Sequence, residues 1–297
     1  MSVHIIEPQA WPTIRDAIKP APSLWEPMVP AHAITMLHGP GGSGKSGLLY
    51  GLANSIQTGQ DFLGLPTQRA KCLLISVDMN LFLVKERWGT AFNPNFAFVC
   101  PPTFDLLDPR FRMTTTYTEI RDYVNTQGIE LVLIDALSGT VGVHSVNDDA
   151  TANGWYSAIK QWFPESAVVF LHHDRKTRYN DKGEPLAQSG QNSMGTAYWI
   201  NNCASQIHMW PAGDHISMIR HEKCQVNLKH DDKIKLYIDI DGRVEPWDQR
   251  RADNVQLKYW ETARSLNVQD LPNRERDVHV AKFHNVSERT VRRWRSL

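Results

Sequence analysis

The chain has 297 residues, 41% of them hydrophobic and 22% charged, which is ordinary for a folded protein and enough for one large domain with a small appendage. Its formal net charge of zero excludes a polyelectrolyte that binds nucleic acid with its whole surface, so any such binding must come from local patches. Cys72, Cys100, Cys203 and Cys224 lie far apart with no C-x-x-C pair, which argues against a zinc site and for a reducing compartment. Glu7 and Pro8 stand where a signal peptide needs an apolar core, and no run approaches 18 apolar residues. A soluble cytoplasmic protein without a membrane partner is expected.

Residues 1–30 are proline-rich and read as an N-terminal arm, with a short helix over Trp11–Ile18 and two tryptophans, Trp11 and Trp25, expected to pack. Ala33–Leu37 reads as a strand and Gly47–Ala53 as helical, and between them lies Gly39-Pro40-Gly41-Gly42-Ser43-Gly44-Lys45-Ser46. This fits G-x-x-x-x-G-K-[ST] at every fixed position, in the strand–loop–helix setting that the motif requires. Glycines let the backbone wrap a phosphate closely, and the amides of the loop, through Gly47, face the anion at the positive end of the new helix. Lys45 can reach the β- and γ-phosphates and the Ser46 hydroxyl can hold Mg²⁺, so ATP with Mg²⁺ is the expected cofactor.

Further strands are expected at Lys71–Val77, Phe96–Cys100, Ile129–Asp135 and Ala167–Leu171, with helices at Leu81–Trp88, Thr116–Thr126 and Ala150–Phe163. Apolar strands alternating with helices predict an α/β domain over residues 31–247, a mostly parallel sheet with helices on both faces. Ligands of such sheets bind beyond the carboxyl ends of the strands, where Asp78, Asp135 and His172-His173 all fall. Asp135, after four apolar residues, is expected to hold Mg²⁺ opposite Ser46. Asp78 reads either as the group that polarises the attacking water or as the cap of the next helix, and both can hold at once. On a strand His172 and His173 point to opposite faces, so only one can face the nucleotide and sense the γ-phosphate.

The stretch from Asp174 to Ser193 is long and polar, with Arg175, Lys176, Arg178, Tyr179 and Lys182 forming a basic patch with one aromatic. It reads equally as a track for a nucleic-acid backbone and as a solvated surface loop. Thr196–Ile207 reads as a helix or a helix–strand transition, and Ile216–Arg220 and Ile234–Ile240 as antiparallel edge strands. Residues 252–297 read as a separate helical domain. From Arg250 to Leu297 there are eleven Lys/Arg against six Asp/Glu. Arg276–Phe283, a turn at Asn285, and Ser287–Ser296 read as a helix-turn-helix, with Val280, Phe283, Val286, Val291 and Trp294 inside. Arg289, Thr290, Arg292, Arg293 and Arg295 would face DNA, or the next subunit if the helix is a docking element.

In this order the parts resemble the RecA-fold P-loop ATPases, and within them the RepA-type hexameric replicative helicases of plasmids and phages. The resemblance covers about residues 24–245 and rests on Gly39–Ser46, Asp78, Leu131–Asp135, Phe170-Leu171-His172-His173 and Gly190–Gly195. It implies a RecA-like core in a ring of six subunits, ATP between neighbours, single-stranded DNA in a central channel lined by residues 174–192, and His173 as phosphate sensor. It also implies a bacterial host cell. The chain departs from that pattern in two places. Asp78 stands where the family usually has glutamate, and Met194 stands where it supplies a trans-acting arginine. Lys223 or Arg220 resembles the basic finger of other RecA-fold rings. The alternatives to a helicase are a recombination or repair ATPase that forms filaments, and an ATP-switched DNA-binding regulator or helicase loader with weak turnover.

Overall fold

The structure is a computed structural model that describes residues 7–10, 12–13, 22–77, 79–82, 84, 95–100, 108, 112, 114–141, 144–174, 195–213, 215–226, 229–238, 242–247, 249–284 and 286–296. The apolar runs become the strands of one nine-stranded sheet. Its members are β3 (Ile34–Gly39), β4 (Cys72–Ser76), β5 (Ala97–Val99), β6 (Leu131–Asp135), β7 (Ala167–His173), β8 (Ser205–Gly213), β9 (Ile216–Cys224), β10 (Ile234–Ile238) and β11 (Val244–Pro246). The order across the sheet is β11-β10-β9-β8-β3-β7-β6-β4-β5. From β8 to β5 every neighbouring pair is parallel, and from β8 to β11 every pair is antiparallel. A mixed α/β fold with a mostly parallel central sheet is thus what the alternating pattern predicted. A hairpin that was not foreseen, β1 (Ser23–Trp25) with β2 (Val29–Pro30), precedes it.

Side-chain alternation divides the core in two. Leu37, Val169, Leu171 and Leu133 point to the face covered by α1 (Lys45–Thr58), where they meet Leu48, Leu49 and Leu52. Met36, Val168, Phe170 and Ile134 point to the other face, covered by α2 (Thr115–Gln127) and α3 (Asp149–Trp162). There Trp155 sits edge-on to Phe170 at 4.9 Å and to Trp199 at 5.7 Å. The start of α3 is fixed by Asp148, whose carboxylate accepts from the amides of Ala150 at 3.3 Å and Thr151 at 3.2 Å. Trp25 packs as expected, fully buried, and its indole N–H donates to the Phe62 carbonyl at 3.2 Å.

The Thr196–Ile207 stretch divides into a short helix, α4 (Tyr198–Asn202), and the start of β8, and β9 runs four residues past the expected Arg220. The C-terminal segment holds three helices, α5 (Gln249–Ser265), α6 (Asn273–His284) and α7 (Glu288–Ser296). Their shared core is Tyr259, Ala263, Val268, Val280, Ala281 and Val291. Phe283, expected inside it, is 60% exposed. The inward face of α6 carries Asp277, Val280 and Ala281, and His284 completes it, 3.0 Å from the Thr262 hydroxyl and 5.1 Å from the Trp294 ring. Phe283 falls at the rim of that stripe. Trp11–Ile18 lies almost wholly outside the described residues, as does the greater part of Leu81–Trp88. Among the described residues no helix is long and apolar enough to cross a membrane.

Candidate nucleotide site

The glycine loop joins β3 to α1, and its glycines are needed for two separate reasons. Gly42 and Gly44 take positive φ, 77° and 91°, a region that L side chains rarely enter. Gly39, Gly44 and Gly47 are also places where β8, β10 and the residue Gly242 ahead of β11 come close. A Cβ on Gly39 would lie 1.9 Å from the Met209 carbonyl oxygen of β8, one on Gly47 2.0 Å from that of Gly242, and one on Gly44 2.2 Å from Ile238 Cδ1. The Ser217 hydroxyl on β9 donates to the Ser43 carbonyl at 2.8 Å. The antiparallel strands, which read in the sequence only as edge strands, therefore form a wall that braces the loop.

Lys45 is 7% exposed, and its ammonium donates to the carbonyls of Gly39 and Pro40, both at 2.8 Å. Burial lowers its pKa to about 8, against the opposing pull of Asp174 and Asp135. It therefore stays mostly charged at neutral pH, and both carboxylates lie within its electrostatic reach. Asp135 is 4% exposed at the tip of β6. Because β7 separates β6 from β3, the tip of β7 lies between Asp135 and the loop. Ser46 is half-buried in the first turn of α1. A hydroxyl at a helix start and a buried carboxylate at the tip of the next strand but one suit Mg²⁺, which keeps most of its waters and needs few protein ligands.

His173 stands beside Gly39 in the β3–β7 register, and the Asp174 amide donates to the Gly39 carbonyl at 3.1 Å. By alternation His173 shares the face of Val169 and Leu171 with α1, whereas His172 turns to the other face, its ring 5.9 Å from Trp199. Asp78 lies outside the described residues. Val77 before it donates its amide to the Asp135 carbonyl at 2.7 Å. Arg175, Lys176, Arg178, Tyr179 and Lys182, with Met194, also lie outside them.

The two finger candidates have partners in their own chain. The Lys223 ammonium donates to the carbonyls of Ile200, Asn201 and Cys203 at 2.8, 3.1 and 2.8 Å, closing the end of α4. Arg220 pairs with Glu222 and lies 6.0 Å from the Trp210 ring. On α7, Arg292 is 56% exposed and 4.0 Å from the buried Asp277, and Arg295 is held at 3.3 Å from the same carboxylate. The side chains of Arg289, Thr290 and Arg293 lie outside those described.

Sequence reasoning missed a polar cluster at the root of the loop. His38, next to Gly39, meets Asp174, Gln206 and Glu222, and its ring stacks on that of His208 at 4.6 Å. Burial alone would lower the His38 pKa, but Asp174 and Glu222 together hold it above the usual histidine value. Burial works against the Asp174 and Glu222 carboxylates too, yet hydrogen bonds from His208 and His38 on Asp174, and from His38 and Arg220 on Glu222, keep each at about 2. β3, the end of β7 and the β8–β9 pair that supply these side chains are distant from one another in sequence, so no local pattern marks the cluster.

The family model described as AAA domain matches residues 6–179, more than half of the chain and the whole run from the glycine loop to β7. The chain belongs to the AAA domain family. With the loop geometry and sheet order above, membership makes it a P-loop ATPase that binds a nucleotide, in the layout expected of a RecA-like core. Among solved structures the chain is similar to the RadB recombinase at 12% identity, over 74% of this chain and 93% of that one, with a TM-score of 0.47. No curated protein matches.

Proposed function

We propose that this AAA-domain ATPase is a DNA motor, and that it works as a ring-forming replicative helicase whose ATP turnover is stimulated by single-stranded DNA. The observation that carries the reading is the register of β3 and β7. It sets His173, and the root of the basic segment 175–182, directly beside the glycine loop. A change at the γ-phosphate would then reach that segment through one residue.

In this reading Lys45 leaves the two loop carbonyls to neutralise charge on the β- and γ-phosphates. Ser46 and Asp135 hold Mg²⁺, which offsets the charge that develops on the phosphate oxygens. Asp78 orients water for in-line attack, and His173 senses the γ-phosphate. Residues 175–182 track single-stranded DNA in the channel. The C-terminal helices 252–297 act as a helix-turn-helix that delivers the motor to a duplex, with Arg289, Thr290, Arg292, Arg293 and Arg295 as its DNA-facing set. Residues 1–30 serve as an arm on the domain or its neighbour. The setting is the cytoplasm of a bacterial host, with a phage or mobile element as the source.

A second reading, an ATP-switched DNA-binding regulator or loader with little turnover, is favoured by one observation. Both basic residues proposed as fingers, Lys223 and Arg220, already have partners in their own chain. Negative-stain images with a non-hydrolysable ATP analogue and single-stranded DNA separate the readings. Closed rings support the helicase. Filaments point to a recombination or repair ATPase, and lone particles that bind ATP tightly point to the switch. For the duplex arm, Arg292→Ala with Arg293→Ala is expected to weaken duplex binding. The slope of log affinity against log salt should become shallower by about 2, one for each lost phosphate contact. An unchanged binding curve would give the helix a packing role instead.

A further inference from the structure

We propose that His38, His208 and Asp174 form a binding site for a divalent transition-metal ion of the zinc class, with Glu222 holding the two rings from behind. Such a site does not depend on the protein being a helicase. It concerns residues on the sheet face away from α1, since His38 alternates with Ile34 and Met36, which pack against α2 and α3. The ion is therefore distinct from the Mg²⁺ assigned to Ser46 and Asp135.

The geometry is that of a ligand set. His38 on β3 and His208 on β8 are direct partners in the parallel register, and their rings lie 4.6 Å apart at an interplanar angle of 10°. Asp174, one residue past the end of β7, places its carboxylate across both. One oxygen is 2.7 Å from His38 Nδ1 and the other 3.0 Å from His208 Nε2. One donor atom from each of the three residues lies within 4.8 Å of the others. Zinc bonds of about 2.0–2.2 Å to nitrogen and oxygen place tetrahedral ligand atoms somewhat over 3 Å apart. The stacked rings do not yet aim both lone pairs at one point, so the ion would enter as the carboxylate shifts outward and one imidazole turns out of the stack.

The opposite ring nitrogens face the second carboxylate. Glu222 lies 3.3 Å from His38 Nε2 and 3.6 Å from His208 Nδ1. A metal-bound histidine characteristically gives its other N–H to a carboxylate, which fixes the ring and makes the ligating nitrogen more basic. Glu222 is itself held, by Arg220 and by the Gln206 amide at 3.1 Å. The site is also shielded from solvent, with His38, His208 and Asp174 side chains 1%, 10% and 10% exposed. Both imidazole nitrogens that face Asp174 must be free of a proton to ligate, so metal binding would release any proton held at His38 Nδ1 or His208 Nε2. Two imidazoles and a carboxylate suit zinc, cobalt and other borderline ions better than calcium or magnesium, and leave a fourth position for water. The sequence argued against a zinc site on the spacing of the cysteines, and this site uses no thiolate. Bound there, the ion would tie the residue before the glycine loop to the root of segment 175–194.

The test uses the full-length protein, tag-free and nucleotide-free, dialysed against EDTA and titrated with CoCl₂ and then ZnCl₂. The site predicts one equivalent of Co²⁺ with the intense visible bands of a four-coordinate ion, displaced by Zn²⁺. Asp174→Asn and His208→Gln should each remove these bands. Glu222→Gln should weaken binding about 10–100-fold, and Ser46→Ala should leave it intact. A wild-type protein that shows no such bands overturns the site without recourse to any variant. So does Co²⁺ binding that is unchanged in folded Asp174→Asn protein.

Discussion

Lys45→Ala is expected to lower ATP turnover by at least about 10²–10³-fold, the loss typical of removing one preorganised charge donor from a transition state. The ammonium is buried and already fixed over the mouth of the loop by the Gly39 and Pro40 carbonyls. Alanine removes the only cation that the loop itself supplies, in a place where water screens charge poorly. Little structural damage should accompany the loss, because the carbonyls at Gly39 and Pro40 sit at the strand end and can take water. The check is steady-state ATPase alongside urea unfolding of the same variant. Near wild-type turnover in a folded Lys45→Ala protein would refute the assignment of the loop.

The second large effect is on folding. Gly39→Ala would put a methyl carbon 1.9 Å from the Met209 carbonyl oxygen and 3.0 Å from its carbonyl carbon, against the backbone of β8. Unlike the end of a flexible side chain, a strand carbonyl can move only if β3 and β8 part, and that would break the pairs from Thr35–Ser205 to His38–His208. Overpacking of this kind costs about 1–3 kcal/mol, and against a strand carbonyl at so short a distance the upper end or beyond is expected. Gly41→Ala is the control. Its Cβ would meet nothing within 4 Å and its φ is not positive, so stability should stay within about 0.5 kcal/mol of wild type. Equal urea midpoints for the two variants would show that β8 does not press on the loop.

These two glycines illustrate what was legible in the sequence. The spacing of Gly39, Gly44 and Lys45 encodes a phosphate cradle because the strand, loop and helix that form it are contiguous. Asp135 was legible for the same reason, as a carboxylate closing an apolar run. What braces the cradle was not legible. Met209, Ser217, Ile238 and Gly242 reach it only after β8 has paired with β3 and the chain has folded back twice, and the same holds for the meeting of His38, His208 and Asp174. Phe283 was misplaced because a 12-residue helix buries a narrow stripe, and His284 fits that stripe by bonding to Thr262. Asp277, polar yet buried, is placed by the Tyr259 hydroxyl at 2.8 Å and by Arg295, a pairing between helices that periodicity alone does not show.

In a motor of the proposed kind the strand tips gather around one triphosphate, and its hydrolysis is felt by the segment beyond His173. Steady-state ATP hydrolysis by the wild-type chain with Mg²⁺, measured with and without single-stranded DNA, tests this most directly. Mg²⁺-dependent turnover that rises when the DNA is added is the expected result. A rate that DNA leaves unchanged would contradict the coupling and leave a nucleotide pocket without a motor.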